Sequence, residues 1–279
     1  MLQVQNINEL TAQIREWKHQ RKTIAFVPTM GNLHKGHLSL IAQGHQQADK
    51  LVSSIFVNPM QFAPEEDLDN YPRTLQKDCK VLMEHGCDLV YLPKDQDLYP
   101  RGLSHMTAIQ VPDVTCCFEG EHRPGHLTGV STIVLKLFNL VQPNIAVFGK
   151  KDYQQFQMVR KMVLDLNLNI DIIGGETIRE TDGLAMSSRN QYLSPDERQQ
   201  AITLYHQLIH AAKQYRVEGS DFEPIKQQAI QALTAAGFKV DYFDLCGQQT
   251  LIPVNARKSS VIVAAAKLGA TRLIDNIEI

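Results

Sequence analysis

A chain of 279 residues with 28 basic and 30 acidic side chains, a formal net charge of -2, carries no bulk charge that would favour nucleic acid or a membrane surface. Its 43% hydrophobic and 21% charged residues are those of an ordinary globular protein. At this length one large domain plus a smaller one is expected, burying roughly three quarters of the unfolded surface.

The opening MLQVQNINEL has no basic segment followed by a long apolar core, and no apolar run approaches the ~18 residues of a membrane span. The expectation is a cytoplasmic protein. Five cysteines, Cys79, Cys87, Cys116, Cys117 and Cys246, show neither a C-x-x-C pair nor a zinc spacing. They read as reduced, mostly buried thiols.

The first strand signal is TIAFV at 23–27, followed by the turn TMGNLHKGH and a helical pattern over 37–48. A helix opening there offers backbone N–H groups and a positive dipole end to an anion such as a phosphate. His34 and His37, at i and i+3, are read as sharing one helix face, where two imidazoles meet the same phosphoryl group. Gly31 is turn chemistry, and Gly36 lets a flat purine approach the backbone. Solvated first-turn histidines are the plainer alternative; a zinc site lacks a third ligand.

The second strand signal, LVSSIFV at 51–57, runs into NPMQFAPEEDLDNYPR. Asn58, Gln61 and Arg73 are amide and guanidinium donors able to orient a carboxylate or hydroxyl. A proline-rich loop of Asx turns accounts for the same residues without function. A helical pattern over 72–86, DLVYL at 88–92 and a second helical pattern over 125–141 lead to NIAVFG at 144–149 and GKKDYQQFQMVR. Here Gly149 is read as permitting the turn, Lys150 and Lys151 as meeting phosphates, and Asp152 as capping a helix over 153–166. Gln154 and Gln155 add amides, and NIDIIGG closes the set of strands at 169–175.

This alternation argues for an α/β fold, a doubly wound, Rossmann-like, mainly parallel sheet over residues 1–176. After it come helical stretches at 195–216 and 222–236 and then the strand-like VDYFDLC and SSVIVAAA, read as a smaller α+β domain over residues 177–279. DGLAMSSRNQYLSPDE reads as a linker or mobile loop between them. Within it MSSR, 186–189, offers two hydroxyls and a guanidinium to a triphosphate. The chain contains no G-x-G-x-x-G and no G-x-x-x-x-G-K-[ST], which argues against dinucleotide and P-loop sites. Phosphate-contacting turns at strand ends plus a late basic loop suit transfer at the α-phosphate of ATP.

With PTMGNLHKGH, NPMQF, DLDNYPR, RPGHLTGVSTIV, GKKDYQQ, DGLAMSSR and RLIDN in this order, the sequence resembles the pantothenate synthetase (pantoate–beta-alanine ligase) family from about residue 20 onward. That family lies in the nucleotidylyltransferase group with the class I aminoacyl-tRNA synthetases, and HKGH and MSSR look like counterparts of that group's two signatures. The resemblance implies an ATP-dependent, AMP-forming carboxylate–amine ligase. Pantoate attacks ATP to give a pantoyl adenylate and pyrophosphate, and beta-alanine then gives pantothenate and AMP. It implies catalytic or electrostatic roles for His34, His37, Lys151, Ser187, Ser188 and Arg189. ATP contacts would come from Met30, Gly31, Asn32, Leu33, Lys35, Gly36, Gly149, Lys150, Asp152, Ile178 and Met186 as well. Pantoate would meet Gln61, Gln155, Asn58 and Met30, with Gln61 also near beta-alanine. The family uses Mg²⁺ with ATP, for which Asp78 is a candidate carboxylate, and implies a homodimer formed through the larger domain.

Two positions depart from the family pattern: Lys150, where an acidic residue is usual, and Glu121, in a segment commonly more basic. A nucleotidylyltransferase acting on a phosphorylated acceptor is the alternative enzyme, and a non-catalytic nucleotide-binding regulator the alternative of another class.

Overall fold

The computed structural model describes residues 1–254 and 259–279. It divides into two compact units, Met1–Lys150 with Met158–Glu176, and Lys151–Gln157 with Thr177–Ile279. The turn after the fifth strand therefore packs with the second unit.

The first unit carries β1 (Leu2–Val4), α1 (Ile7–His19), β2 (Ile24–Thr29), α2 (Lys35–Gln47), β3 (Lys50–Ile55), α3 (Leu75–Glu84), β4 (Leu89–Tyr91), α4 (Asp95–Leu98), α5 (Glu119–His122), α6 (His126–Val141) and β5 (Ile145–Gly149). Helix α7 (Tyr153–Asp165) then leads to β6 (Asp171–Gly175). The six strands form one parallel sheet in the order β1-β4-β3-β2-β5-β6. Strands covered on both faces read as unbroken apolar runs, and β2 does so from Ile24 to Val27, all fully buried. Ala25 and Val27 pack with Ile41 of α2 and with Cys79 and Leu82 of α3. Between them Phe26 turns to the opposite face and meets the ring of Phe138 on α6, with centroids 6.4 Å apart. The doubly wound sheet expected from the sequence is thus present, with β1 and α1 as additions to the expected elements.

Strand order runs outward from β2 through β3 and β4, and then resumes on β2's other side with β5 and β6. The switch point lies between the carboxyl ends of β2 and β5, where such sheets bind ligands.

The second unit carries α8 (Pro195–Tyr215), α9 (Phe222–Ala235) and an antiparallel sheet of β7 (Phe238–Gly247), β8 (Ser260–Leu268) and β9 (Thr271–Glu278). Its core is built from Leu204, Leu208 and Tyr215 of α8, Phe222 and Leu233 of α9, and Phe243, Ile262 and Leu273 of the strands. Helix α8 starts in a capping box, Ser194 Oγ accepting from Glu197 N–H and Glu197 from Ser194 N–H, with Pro195 at the first helical position.

Among the described residues no helix is long and apolar enough to cross a membrane. Cys79, Cys87 and Cys246 are buried free thiols, with burial pushing Cys87 up to about 12, whereas Cys116 is exposed.

Candidate active site

At the carboxyl end of β2 the chain passes through two residues with left-handed backbone, Gly31 at φ +84° and Asn32 at φ +49°. A side chain at Gly31 would meet Asp78 Oδ2 and Ile55 Cγ2, each at 3.1 Å, so both conformation and space require glycine. The turn is held by Asp78 of α3, only 1% exposed. Its Oδ2 accepts the N–H of Asn32 (2.9 Å) and the hydroxyl of Thr74 (3.0 Å), and its Oδ1 accepts the N–H of Leu33 (2.9 Å). The expectation that Asp78 serves a metal meets a buried carboxylate that already accepts three hydrogen bonds, two of them from the turn that it anchors.

The histidines also differ from their expected arrangement. His34 has extended backbone and is the N-cap of α2, outside the helix that carries His37. Its Nδ1 accepts the N–H of Gly36 (3.2 Å), and Nδ1 of His37 accepts the N–H of His34 (3.3 Å). Imidazole thus replaces the hydroxyl and carboxylate of an ordinary capping box. Each δ nitrogen accepts, which leaves the ring proton of each neutral imidazole on Nε2. The rings lie side by side, centroids 4.1 Å apart and planes inclined at 47°. Four backbone N–H groups expected to meet an anion, those of Asn32, Leu33, His34 and Gly36, are engaged within the protein. The same turn brings two imidazole rings together beside them.

After β3 the turn Pro59–Gln61 presents the second group. Asn58, expected to touch substrate, is instead 1% exposed and spends its amide on the protein. Its Oδ1 accepts from Tyr99 Oη (2.5 Å) and Met60 N–H (3.3 Å), and its Nδ2 donates to Gly129 O (3.2 Å) and Gln61 Oε1 (3.1 Å). Burial raises the Tyr99 phenol well above its usual range, so it stays a donor. The chain of bonds from Tyr99 through Asn58 fixes the Gln61 amide with its oxygen inward. Gln61 Nε2 then lies 3.2 Å from Met30 Sδ, which brings these two expected residues together.

The turn rests on the start of α6. A Cβ at Gly129 would stand 2.3 Å from Met60 O, so backbone lies directly on backbone there. His126 Nδ1 lies 2.8 Å from Gln61 O, and its Nε2 lies 3.0 Å from Arg123 Nη1. Arg123 holds Glu66 with two contacts, Nε to Oε1 at 2.6 Å and Nη2 to Oε2 at 2.7 Å. Burial acts to raise the Glu66 pKa, and the Arg123 guanidinium more than offsets this, leaving it below the ordinary value. Arg73 is exposed and donates to the carbonyls of Leu68, Asp69 and Tyr71.

Strand β5 ends at Gly149, whose φ is not left-handed and whose added Cβ would only touch Leu40 at 3.7 Å. The turn there does not depend on glycine. Lys150 Nζ pairs with Glu176 Oε1 at 2.7 Å.

The remaining candidates lie in the second unit. Lys151 Nζ is 3.8 Å from Asp152 Oδ1, and Gln155 is partly buried on α7. Residues 178–186 form a hairpin, with Met186 N–H on Ile178 O (3.0 Å) and Glu180 N–H on Leu184 O (2.8 Å). Ser187 caps the following turn, Ser188–Tyr192, by accepting from Arg189 N–H (3.3 Å). The segment read as a linker or mobile loop is therefore hydrogen-bonded structure with Leu184, Ala185 and Met186 buried.

Strand β9 pins both parts of this group. Asp275, 4% exposed, takes the Arg179 guanidinium in a fork of 2.6 and 2.9 Å, and Arg179 stacks over Tyr205 at 3.6 Å. Asn276 Nδ2 donates to Lys151 O at 3.0 Å. Sequence reasoning passed over Arg179, Asp275, Asn276, Tyr99, Arg123, His126 and Gly129 as site-building residues. The signal for the strand pair was the uninterrupted Asp-Asn in RLIDN, two polar residues where one face of a strand should be apolar.

A family model described as Pantoate-beta-alanine ligase matches residues 2–278. A pantothenate synthetase of Shewanella amazonensis is 50% identical over 272 residues, 97% of this chain and 96% of its own. One of Shewanella denitrificans is 48% identical over 278 residues, 99% of each chain. Among solved structures, a pantothenate synthetase from Thermus thermophilus superposes with TM-score 0.93 at 41% identity, covering 100% of this chain and 99% of its own. The Francisella tularensis pantoate-beta-alanine ligase, complexed with beta-gamma ATP and beta-alanine, does so with TM-score 0.83 at 33% identity, covering 100% and 97%.

Proposed function

The chain belongs to the pantoate-beta-alanine ligase family, and from that membership we infer that it condenses pantoate with beta-alanine to pantothenate in an ATP-dependent reaction. Pantoate's carboxylate attacks the α-phosphorus of ATP and releases pyrophosphate; the amine of beta-alanine then attacks the pantoyl adenylate and releases AMP. The observation that carries this reading is the imidazole pair at the start of α2, two Nε2–H donors held in place by backbone N–H groups on their other nitrogens.

A carboxylate is ionised and nucleophilic at neutral pH, so the first step needs no base. It needs charge stabilisation on the phosphoryl oxygens and on the leaving pyrophosphate. His34 and His37 supply fixed donors for the first, without the reorganisation that water would require. In the second unit Lys151, Ser187, Ser188 and Arg189 carry the phosphate roles and Asp152 the ribose role. Gln61, its amide oriented by Asn58, presents Nε2 to a pantoate oxygen, and the family resemblance carries a pantoate role to Gln155 of α7 as well. Met30, Gly31, Asn32, Leu33, Lys35, Gly36, Gly149, Lys150, Ile178 and Met186 complete the nucleotide contacts that the family resemblance carries.

Among the described residues no group of three or more His, Cys, Asp or Glu is placed to hold a metal. Mg²⁺ in this reading arrives on the ATP triphosphate, keeping its waters. A homodimer and a cytoplasmic location also belong to this reading; sedimentation tests the first.

Pyrophosphate release from Mg-ATP, measured first with pantoate alone and then after adding beta-alanine, tests the chemistry. The expected result is a pantoate-dependent burst, with turnover to AMP and pantothenate only once the amine is present. Transfer of a nucleotidyl group to a phosphorylated acceptor, with no dependence on beta-alanine, would replace this reading with the alternative enzyme. One structural consequence is testable beside it. Gly129→Ala should push Met60 and Gln61 off α6, lowering stability by ~1–3 kcal/mol and raising the pantoate KM more than the ATP KM. Urea unfolding and initial-rate kinetics read the two effects.

A further inference from the structure

We propose that His126 is a positioning residue for pantoate binding, acting through the backbone of Gln61. The inference rests on the reading of Gln61 as a pantoate ligand, and it assigns a task to a histidine that the reaction itself does not use.

The first turn of α6 grips the Pro59–Gln61 turn at three points. His126 and Gly129 are spaced i and i+3, so they face the same way. The ring of His126 reaches Gln61 O at 2.8 Å, the bare Cα of Gly129 admits Met60 O, and the Gly129 carbonyl receives the Asn58 amide at 3.2 Å. Asn58 sets which way the Gln61 side-chain amide points. His126 sets where the Gln61 backbone stands, and therefore where that amide begins.

A neutral imidazole is well suited to this position. A guanidinium has only donors, so the 3.0 Å contact from Arg123 Nη1 makes His126 Nε2 the acceptor. The ring proton is then on Nδ1, where it donates to Gln61 O. Protonation would set an Nε2–H against the Arg123 N–H. Burial, with the charge of Arg123 second, lowers the His126 pKa to about 4, despite the opposing pull of Glu119 and Glu66. Arg123 is in turn fixed by its fork on Glu66 and by Glu119 Oε2 at 3.5 Å. The order of dependence runs from Glu66 to Arg123 to His126 to Gln61.

Steady-state kinetics of the full-length enzyme in both substrates tests this. His126→Phe should raise the pantoate KM on the order of tenfold, the worth of one hydrogen bond, with the ATP KM unchanged. His126→Asn, whose amide nitrogen can stand near the place of Nδ1, should recover most of that loss. In a Gln61→Ala background His126→Phe should add nothing further, because the group that it positions is gone. Gln61→Ala without effect on the pantoate KM would remove the reading of Gln61 itself. Gln61→Ala with a raised KM but His126→Phe without one overturns the positioning role alone, as would equal rises in both KM values. Should His126→Phe fail to fold, Glu66→Gln asks the same question from the far end: a selective rise in pantoate KM supports the chain of dependence, and no change overturns it.

Discussion

Replacing His37 by alanine is expected to slow pyrophosphate release by ~10² to 10³-fold, the usual cost of losing one donor to developing charge. The affinity for pantoate should change little. His37 is held at its δ nitrogen by the N–H of His34, and its ring lies against the His34 ring. That arrangement leaves its ε N–H in one direction before substrate arrives, which makes the donor useful in the transition state at no ordering cost. Single-turnover pyrophosphate release with saturating pantoate measures the first step directly. A loss confined to pantoate affinity, with release unchanged, would make His37 a binding residue. Truncation also removes the N3 half of the capping box, so part of any loss in stability belongs to α2. A glutamine at 37 separates the two effects by restoring a side chain with an N–H donor.

The largest effect on stability is expected at Asp275. Asp275→Ala leaves the Arg179 guanidinium without the two contacts, 2.6 and 2.9 Å, that justify its placement beside a buried strand. Removing one partner of such a pair costs ~3–5 kcal/mol, because an uncompensated charge remains. The loss should appear as a lower urea midpoint, and activity should fall with it, since the hairpin of residues 178–186 leads into Ser187, Ser188 and Arg189. Asp275→Asn preserves shape and one acceptor and should lie between. A cost below ~1 kcal/mol would show that the pair behaves as an exposed one, worth little.

How much of this was legible in the sequence depended on the range over which each feature is determined. TIAFV and LVSSIFV announce buried parallel strands because both faces are covered, and their neighbours along the chain already say so. Leu2–Val4 announces nothing, being three residues with only Val4 buried. Helix α1 went unread, although Leu10, Ile14 and Trp17 follow a helical spacing on its buried face. In β9 the polar pair Asp275 and Asn276 breaks the apolar alternation that marks a strand, so the same residues that hold the site concealed the element.

The candidate site followed the same rule. The two histidines and the Gly31 turn are local features, and the sequence placed them at the end of β2. Their roles were not local. Asp78 stands 46 residues from Asn32 and takes its N–H, which turns a candidate metal ligand into an anchor. Asn58 looked like a substrate amide because NPMQF does not disclose that Gly129, 71 residues on, would accept from it. Gly149 stood where a turn glycine would, but a left-handed backbone is a property of the folded turn and was absent.

The pinning of the second unit by β9 also orders events during synthesis. Arg179 precedes Asp275 by 96 residues, and Lys151 precedes Asn276 by 125. A ribosome adding about 5–20 residues per second makes Arg179 wait roughly 5 to 20 s for its carboxylate, long after β6 has completed the parallel sheet. Through that interval the nascent chain carries a finished first unit and a hairpin whose guanidinium still lacks its carboxylate. The segment from Ser187 to Arg189, which follows that hairpin, is thus among the last parts of the chain to gain its full set of contacts.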